Sequence, residues 1–411
     1  MPDPTVSTPN DGPTRGRPHV AVIYHFFPHY RKAVVEALAR SEVADFTFIG
    51  DDHEYLHSIE PATFSDTVKF QLAPTHHLFG PFMWQWGAIT WAIKPQFDTV
   101  IMHSVPHWPC TWIGAILARA LGKRVFFWGH GFLYEPKGLK GLVRRSFHWI
   151  PHGLLLYGRR AKDFAIRYGR AADSVHVIYN SLEFDRQREL AAALSEERIR
   201  SVRTALFGSP TARCVICTTR LISIRRLDLL IRAIAVLSGR GISVHLILVG
   251  DGPERERLEM LARSLGVPVH FEGACYDEAR IAELVRCSSV AVAPGKVGLS
   301  AMHAMAYGVP VVSNDDADSQ MPEWEAIIPG RTGSLFRTGD VNSLADAISE
   351  WLTAERASAA RSHCLRLLGR FWNPCYQRRA IERAVLGLPA DDLFDARPVI
   401  GSPDNSTKLR E

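Results

Sequence analysis

Three clusters in this chain have the residue types and spacing to do chemistry. The first is residues 289–314, SVAVAPGKVGLSAMHAMAYGVPVVSN. An apolar run of strand length, 289–293, is broken by Pro294 and Gly295. Gly298 can then open a helix with Ala301, Met302, Met305 and Ala306 on one face, and Gly308 suits a left-handed cap. Residues 309–312 read as a second buried strand. A glycine loop entering a helix presents free backbone N–H groups and the positive end of the helix dipole, a place for a phosphate. An ordinary strand–helix–strand crossover, with glycines only for turning, satisfies the same pattern. The second cluster is Gly129-His130-Gly131, directly after the apolar run 125–128. A histidine between glycines at a strand end is placed to point into a cleft; a bonded core histidine is the competing reading. The third is the loop YHFFPHYR after a first strand at 19–23. Its His25, His29, Tyr30 and Arg31 are candidate ligand contacts, with local packing and capping as the alternative for each.

The elements that must position these residues alternate. Short apolar runs at 19–23, 46–50, 99–102, 125–128, 154–157 and 175–178 are separated by helical or loop segments. A second alternation starts at Ala212 with runs at 214–218, 244–249, 269–271, 289–293 and 309–312. Strands alternating with helices predict parallel sheets covered on both faces, an α/β fold. The expected organisation is a disordered tail at 1–17, an N-terminal domain at 18–185 and a linker at 186–210. A C-terminal domain at 211–370, a helix at about 371–386 and a disordered tail at 389–411 complete it. Two such domains face one another across a cleft, where a ligand sits.

Composition narrows the partners. Apolar residues make up 46% and charged residues 22% of 411, ordinary for a globular chain. Between Arg119 and Arg170, basic residues are opposed only by Glu135 and Asp163. Such a block suits a membrane surface, a phospholipid-linked substrate or a nucleotide diphosphate; a solvated basic face is the plainer reading. A net charge of +5 and the lack of a recognition motif argue against nucleic acid. Phe79, Phe82, Trp84, Trp86 and Trp91 crowd 76–91 and read as core packing, with membrane contact as the alternative. The Cys214-x-x-Cys217 pair lies in an apolar strand and reads as structural thiols rather than a metal site. With no signal core and no bilayer-length apolar run, a cytoplasmic protein, peripheral at most to a membrane, is expected.

Several segments in order resemble the retaining glycosyltransferases of family 4, which have the GT-B architecture of two facing Rossmann-like domains. They are TTRLISIRRLDLLIRAIAVL, LILVGDGPERERLEML, VHFEG, APGKVGLSAMHAMAYGVPVV and PEWEAIIPGRTGSLF. The resemblance covers most of the chain and is strongest over 214–336. It implies a nucleotide-diphosphate sugar held mainly by the C-terminal domain, at Arg220, Arg225, Gly298, Leu299, Ser300 and His303. Arg225 stands where the family usually has lysine, which turns a point donor into a planar fork. His130 matches a histidine offered to the donor sugar and is the implied catalytic residue. His25, His29, Tyr30 and Arg31 become acceptor-side candidates. Asn180 and Asp185 match an Asn-Gly-x-Asp turn with Ser181 in place of glycine. Trp372 falls in a closing helix that returns to the N-terminal domain, and Glu325 matches a structural glutamate. The family's two signature glutamates, eight positions apart, are replaced by Gly295 and His303. His303 is expected to take over the ribose, with one acceptor and one donor.

The function so implied is sugar transfer from a nucleotide-diphosphate sugar to a glycan or lipid-linked saccharide, with retention, in surface polysaccharide or glycolipid assembly. No cofactor or metal is expected, because the arginines can neutralise the diphosphate and Asp316-Ala317-Asp318 lies outside the matched site. The rivals are a sugar-nucleotide epimerase of the same architecture and a catalytically silent homologue that binds a partner. Missing carboxylates weigh against the first; retained Arg220, Arg225 and His130 weigh against the second.

Overall fold

The computed structural model describes residues 16–53, 60–135 and 138–390. Residues 1–15 and 391–411, read above as parts of the tails, lie outside the described residues. The first half carries β1 (His19–Phe26), β2 (Asp45–Asp51), β3 (Lys69–Leu72), β4 (Thr75–Phe79), β5 (Phe82–Gln85), β6 (Thr99–His103), β7 (Arg124–Gly129), β8 (Gly153–Leu156) and β9 (Val175–Val177). Seven of these pair in parallel in the order β3-β2-β1-β6-β7-β8-β9. The second half carries β10 (Cys214–Thr218), β11 (His245–Val249), β12 (Val269–Gly273), β13 (Val290–Ala293), β14 (Val311–Asn314) and β15 (Gly333–Phe336). They pair in parallel in the order β12-β11-β10-β13-β14-β15.

Strands buried on both faces need near-continuous apolar runs, and Val20, Ala21, Val22 and Ile23 of β1 are all buried. In each sheet the strand order reverses beside the first strand, between β1 and β6 and between β10 and β13. The crevice outside the carboxyl ends at such a reversal is where doubly wound sheets bind ligands. Each unit is Rossmann-like, and together they form the two-domain α/β architecture expected above.

Several details differ from the expectations. Residues 186–210 are not a bare connector. They contribute to two helices, Phe184–Ala193 and Glu196–Phe207, that pack against the helix Glu278–Arg286 of the second unit. Arg198 donates to Glu283 Oε1 at 2.7 Å across that contact. An 18-residue helix, Ala354–Phe371, was not anticipated. Its signal was available: the Thr353 hydroxyl caps it ahead of an Ala-, Leu- and Arg-rich run. The aromatic stretch 76–91 is not chiefly core. β4 and β5 form a separate antiparallel hairpin that leaves Phe79 67% and Trp86 59% exposed. Cys214 and Cys217 are buried in β10, where positions three apart point to opposite faces and cannot share a metal.

After Trp372 the helix Pro374–Leu386 crosses back to the first unit. Asn373 caps its start and Gly387, at φ +79°, ends it. The Tyr376 hydroxyl donates to the Val177 carbonyl at 2.9 Å. Gln377 Nε2 donates to the Tyr179 carbonyl at 2.9 Å and Gln377 Oε1 accepts from the Ser181 hydroxyl at 2.7 Å. Trp372 lies against Tyr179, ring centroids 4.3 Å apart. Gln377→Ala should leave a buried hydroxyl and a buried carbonyl unpaired, at about 1–3 kcal/mol each. Urea unfolding should show a matching drop; an unchanged midpoint would mean that this helix does not depend on its polar seam.

Candidate functional site

One wall of the cleft is built from residues 219–225, which follow β10. Three glycines let other turns touch the backbone of this loop. A Cβ at Gly250 would lie 2.0 Å from the Thr219 carbonyl oxygen, and one at Gly252 would lie 2.4 Å from that of Leu221. At Gly295 it would lie 2.3 Å from the Ile224 carbonyl oxygen. Gly250 also sits at φ +132°, a region that favours glycine. The Leu221 N–H donates to Asp251 O at 2.9 Å and the Glu254 N–H to Leu221 O at 3.1 Å. Position 295 holds no glutamate for a physical reason: with the arginine loop here, no side chain fits.

The loop carries both expected arginines. Arg220 is exposed, with no hydrogen-bond or ion-pair partner among the described residues. Arg225 is half-buried; its Nη1 donates to the Lys296 carbonyl at 2.5 Å and its Nε has no partner. The glycine loop is held from below. Asn314 Nδ2 donates to the carbonyls of Pro294 and Gly295 at 3.0 and 2.9 Å, and Gln320 Oε1 accepts from the Val297 N–H at 2.7 Å. The helix Leu299–Ala306 starts at Gly298 with no side-chain cap; the Ala301 N–H donates to the Gly298 carbonyl at 2.9 Å, which leaves the N–H groups of Leu299 and Ser300 for a ligand. Ser300 lines a cavity of ≈ 20 Å³ under the loop, room for about one water, so any larger ligand lies outside it.

Two expected donor contacts are placed differently. The Leu299 side chain packs on the core, leaving only its backbone for a ligand. His303 is bonded away: its Nε2 meets Glu278 Oε1 at 2.8 Å, in a cluster with the Tyr307 hydroxyl at 2.6 Å and Gln187 at 3.1 Å. Burial alone would raise the Glu278 carboxyl, but the His303 and Tyr307 hydrogen bonds hold it at about 2. This carboxylate takes up Nε2, which leaves only Nδ1 for the ribose contact expected of His303.

The opposite wall is at the strand ends of the first unit. Tyr24, His25, Tyr30, Arg31, His103 and His130 line a cavity of ≈ 170 Å³. His29 is exposed and does not line it. Both glycines beside His130 are required by geometry. A Cβ at Gly129 would come 2.8 Å from that of Ser104, and Gly131 sits at φ +60° with Leu156 2.8 Å from its Cβ position. Burial, then the charges of Arg31 and Lys296, push His130 down to about 4. Burial and Arg31 push His25 down to about 3. His103 is held well below its ordinary value by burial, with His25, Arg31 and His130 adding to it. All three rings are therefore neutral near pH 7.

Contacts cross between the units. Asn180 Nδ2 donates to Glu323 Oε1 at 2.9 Å, while Glu323 Oε2 is buried without a partner. Burial raises the Glu323 carboxyl. Glu325 accepts from the backbone N–H groups of Arg159 and Arg160 at 2.8 and 2.9 Å, capping the helix Arg159–Arg167. Arg160 also donates to the Ala317 carbonyl at 2.5 Å and pairs with Asp318. Asp318 of the Asp-x-Asp sequence is thereby taken up in an ion pair, and Asp316 caps residues 317–319. Sequence reasoning missed Lys296, His103, Asn314, Gln320 and Glu323 as parts of the site. For His103 a signal existed, since it ends a strand as His130 follows one.

Residues 212–354 match the family model described as glycosyl transferases group 1. The match takes in about a third of the chain. Over 109 residues the chain is 34% identical to a GDP-mannose-dependent alpha-(1-6)-phosphatidylinositol dimannoside mannosyltransferase of Mycobacterium tuberculosis, covering 26% of this chain and 28% of that protein. It is 32% identical over 200 residues to the lipopolysaccharide core biosynthesis glycosyltransferase LpsE of Rhizobium meliloti, covering 47% and 54%. The chain thus spans between about a quarter and a half of the length of these curated relatives. Among solved structures, the lipopolysaccharide outer core galactosyltransferase WaaB superposes with a TM-score of 0.67 at 15% identity, covering 90% of this chain and 99% of that one. Anabaena Alr3699/HepE in complex with UDP gives 0.65 at 16% identity, covering 90% and 100%. At such identity these likenesses establish the GT-B fold. The arginine loop, the glycine loop and Glu323 lie in the matched segment, whereas His130 and Arg31 lie outside it.

The buried histidines give stability a pH dependence. His25, His130, His148 and His176 are all lowered, to between about 3 and about 4, chiefly by burial. Below the ordinary value of 6.5 the unfolded chain binds protons that the folded chain refuses. Stability should therefore fall as pH drops from 6.5 toward 4, by up to about 1.4 kcal/mol per pH unit for each such histidine. Urea unfolding at pH 7, 5.5 and 4.5 reads this directly; equal stability across the window would mean that the rings are solvated.

Proposed function

We propose that the protein is a glycosyltransferase. It moves a sugar from a nucleotide-diphosphate sugar to a glycan or lipid-linked saccharide, with retention of configuration, in surface polysaccharide or glycolipid assembly. The observation that carries this reading is the pairing of two walls: a clamped arginine loop beside an uncapped helix start, opposite a neutral His130 between glycines. The diphosphate lies against Arg220, Arg225 and the N–H groups of residues 298–300, which stabilise charge as the nucleotide leaves. Leucine at 299 contributes backbone only. Neutral His130 can donate to or accept from the sugar as positive character builds on it. The acceptor hydroxyl attacks from the face that the phosphate leaves, and a phosphate oxygen takes its proton. The curated relatives named above act on glycolipid and lipopolysaccharide acceptors by their names, which supports an acceptor of that class.

The same reading holds that no divalent metal is needed, since Arg220, Arg225 and Lys296 supply the positive charge. A transfer assay with UDP-, GDP- and dTDP-sugars and a saccharide acceptor tests it. Arg220→Ala and Arg225→Ala should each cost roughly tenfold or more in kcat/KM, as a charge-assisted contact of about 1.5–3 kcal/mol would. His130→Ala should lower kcat more than nucleotide affinity, and EDTA should leave the rate intact. Transfer by all three variants at the wild-type rate, or a rate that EDTA abolishes and manganese restores, would overturn the assignment of these roles.

We also propose that the first unit docks on an anionic membrane face. No described helix is long and apolar enough to cross a membrane. The helix Gly138–Trp149 instead exposes Leu139 at 77%, Leu142 at 53% and Trp149 at 50%, interleaved with Lys140, Arg144 and Arg145. The neighbouring helix Pro109–Ala120 exposes Ile113, Ile116 and Leu117 and touches it through Trp112 and Phe147. An apolar stripe among cations is the pattern of an interfacial helix. Co-sedimentation should show binding to phosphatidylglycerol vesicles, less to phosphatidylcholine, and a severalfold loss in Leu139→Asp/Leu142→Asp. Equal binding by that variant would place the contact elsewhere.

A further inference from the structure

Arg31 is a buried cation that the donor chemistry does not use. It is 8% exposed, and no carboxylate lies within ion-pair distance of it among the described residues. Its guanidinium carbon sits 5.0 Å from the ring centre of Tyr24, 5.4 Å from that of Trp128 and 5.2 Å from that of Tyr157. Nη2 donates to the Tyr24 hydroxyl at 3.3 Å and to that of Tyr157, whereas Nη1 has no partner. The aromatic box fixes the charge in place without neutralising it. The buried Glu323 carboxyl feels this charge but makes no ion pair with it, and a buried charge without an ion pair is costly, which favours an anion that arrives from outside.

The surroundings give the anion a chemistry. Arg31 lines the ≈ 170 Å³ cavity together with His25, His103 and His130. Each of these histidines keeps some exposed surface, and in each it is Nδ1 that is enclosed without a partner among the described residues. Nε2 is the nitrogen left open, and none of the three has a side-chain hydrogen bond among the described residues. The histidines come from the ends of three neighbouring strands, β1, β6 and β7. Tyrosines already hold one arm of the Arg31 fork, which removes the bidentate geometry that favours a planar carboxylate. A buried cation with three open imidazole nitrogens lining the same cavity suits an anion with several acceptor oxygens, such as a phosphate.

We propose that this cavity binds a phosphate group, so that the acceptor is a phosphate-bearing one. This rests on the glycosyltransferase reading for the word acceptor, but the binding site does not. The phosphate enters on the first-unit side, opposite the arginine loop. Its charge pairs with Arg31, and the neutral imidazoles donate through Nε2–H. The arrangement also sets polarity: the phosphate end of the acceptor lies deep at the strand ends, and its attacking hydroxyl reaches outward past His130. The phosphate can belong to a soluble glycosyl phosphate or to a lipid headgroup.

Isothermal titration of the full chain with glucose 6-phosphate, with glucose as the neutral control, tests the site. Wild type should bind the first and not the second. Arg31→Met should weaken glucose 6-phosphate at least tenfold while UDP and GDP bind as in wild type. Should Arg31→Met fail to fold, His103→Ala keeps the charge and should still weaken the probe severalfold. Vesicles of phosphatidylcholine with phosphatidic acid, added as competitor, separate the sources. Displacement of glucose 6-phosphate points to a headgroup, and its absence to a soluble phosphate. Wild type that binds no phosphate probe, or folded variants that bind it like wild type, would overturn the proposal. Nucleotide binding without phosphate binding would leave the transferase reading standing and remove only this one.

Discussion

The close approach of two glycine turns to the backbone of residues 219–225 is the constraint on which the donor side depends. Main chain meets main chain there with no room for a single carbon on Gly250, Gly252 or Gly295. A loop bearing two arginines would otherwise be among the more mobile parts of a molecule, repelled by its own charge. Here the β10 and β11 turns are joined by hydrogen bonds and the glycine loop presses from the other side. Pre-organisation of this kind lets a cationic loop meet a diphosphate without first losing its freedom. It also couples three stretches of sequence. The Gly-Asp-Gly-Pro turn, the arginine loop and the start of the helix Leu299–Ala306 move as one body or not at all.

The two walls differ in how they hold positive charge. On the second unit the arginines are exposed or half-buried, as suits a group that must release its product. On the first unit Arg31 is sealed among aromatic rings, and its charge suppresses the protonation of the histidines around it. The neutral state of His130 comes first from burial, and the Arg31 charge reinforces it. A change at Arg31 would alter the ring on which the chemistry relies, even with that ring untouched.

The fold was legible because parallel strands buried on both faces leave uninterrupted apolar runs, and glycine and proline mark their carboxyl ends. His130 and Arg31 were singled out by those strand ends, whereas Arg220 and Arg225 came from the family resemblance. His303 was not legible. Its helix was placed correctly, but the direction of its ring was decided by Glu278, a residue 25 positions away whose relation to it only packing defines. The same holds for Glu323 and Asn180, 143 positions apart. Periodicity says which face of its own element a residue occupies; it does not say what another element brings to that face. The exposed hairpin β4–β5 escaped for a related reason, since aromatic density alone does not tell a core from a surface.

Glu325 has a meaning beyond support. The helix Arg159–Arg167 belongs to one half of the molecule, yet the carboxylate that satisfies its first N–H groups belongs to the other. Gly158 leaves the room for it, 2.6 Å from where a side chain would begin. A helix end is normally finished by its own chain, as by Asn373 for the last helix. Here it is left open until the halves meet. The terminus is thus a seam between the halves, completed only where they touch. Were the halves to part, dissolved anions would be the natural occupants of these N–H groups, so the ionic medium would compete with the contact itself.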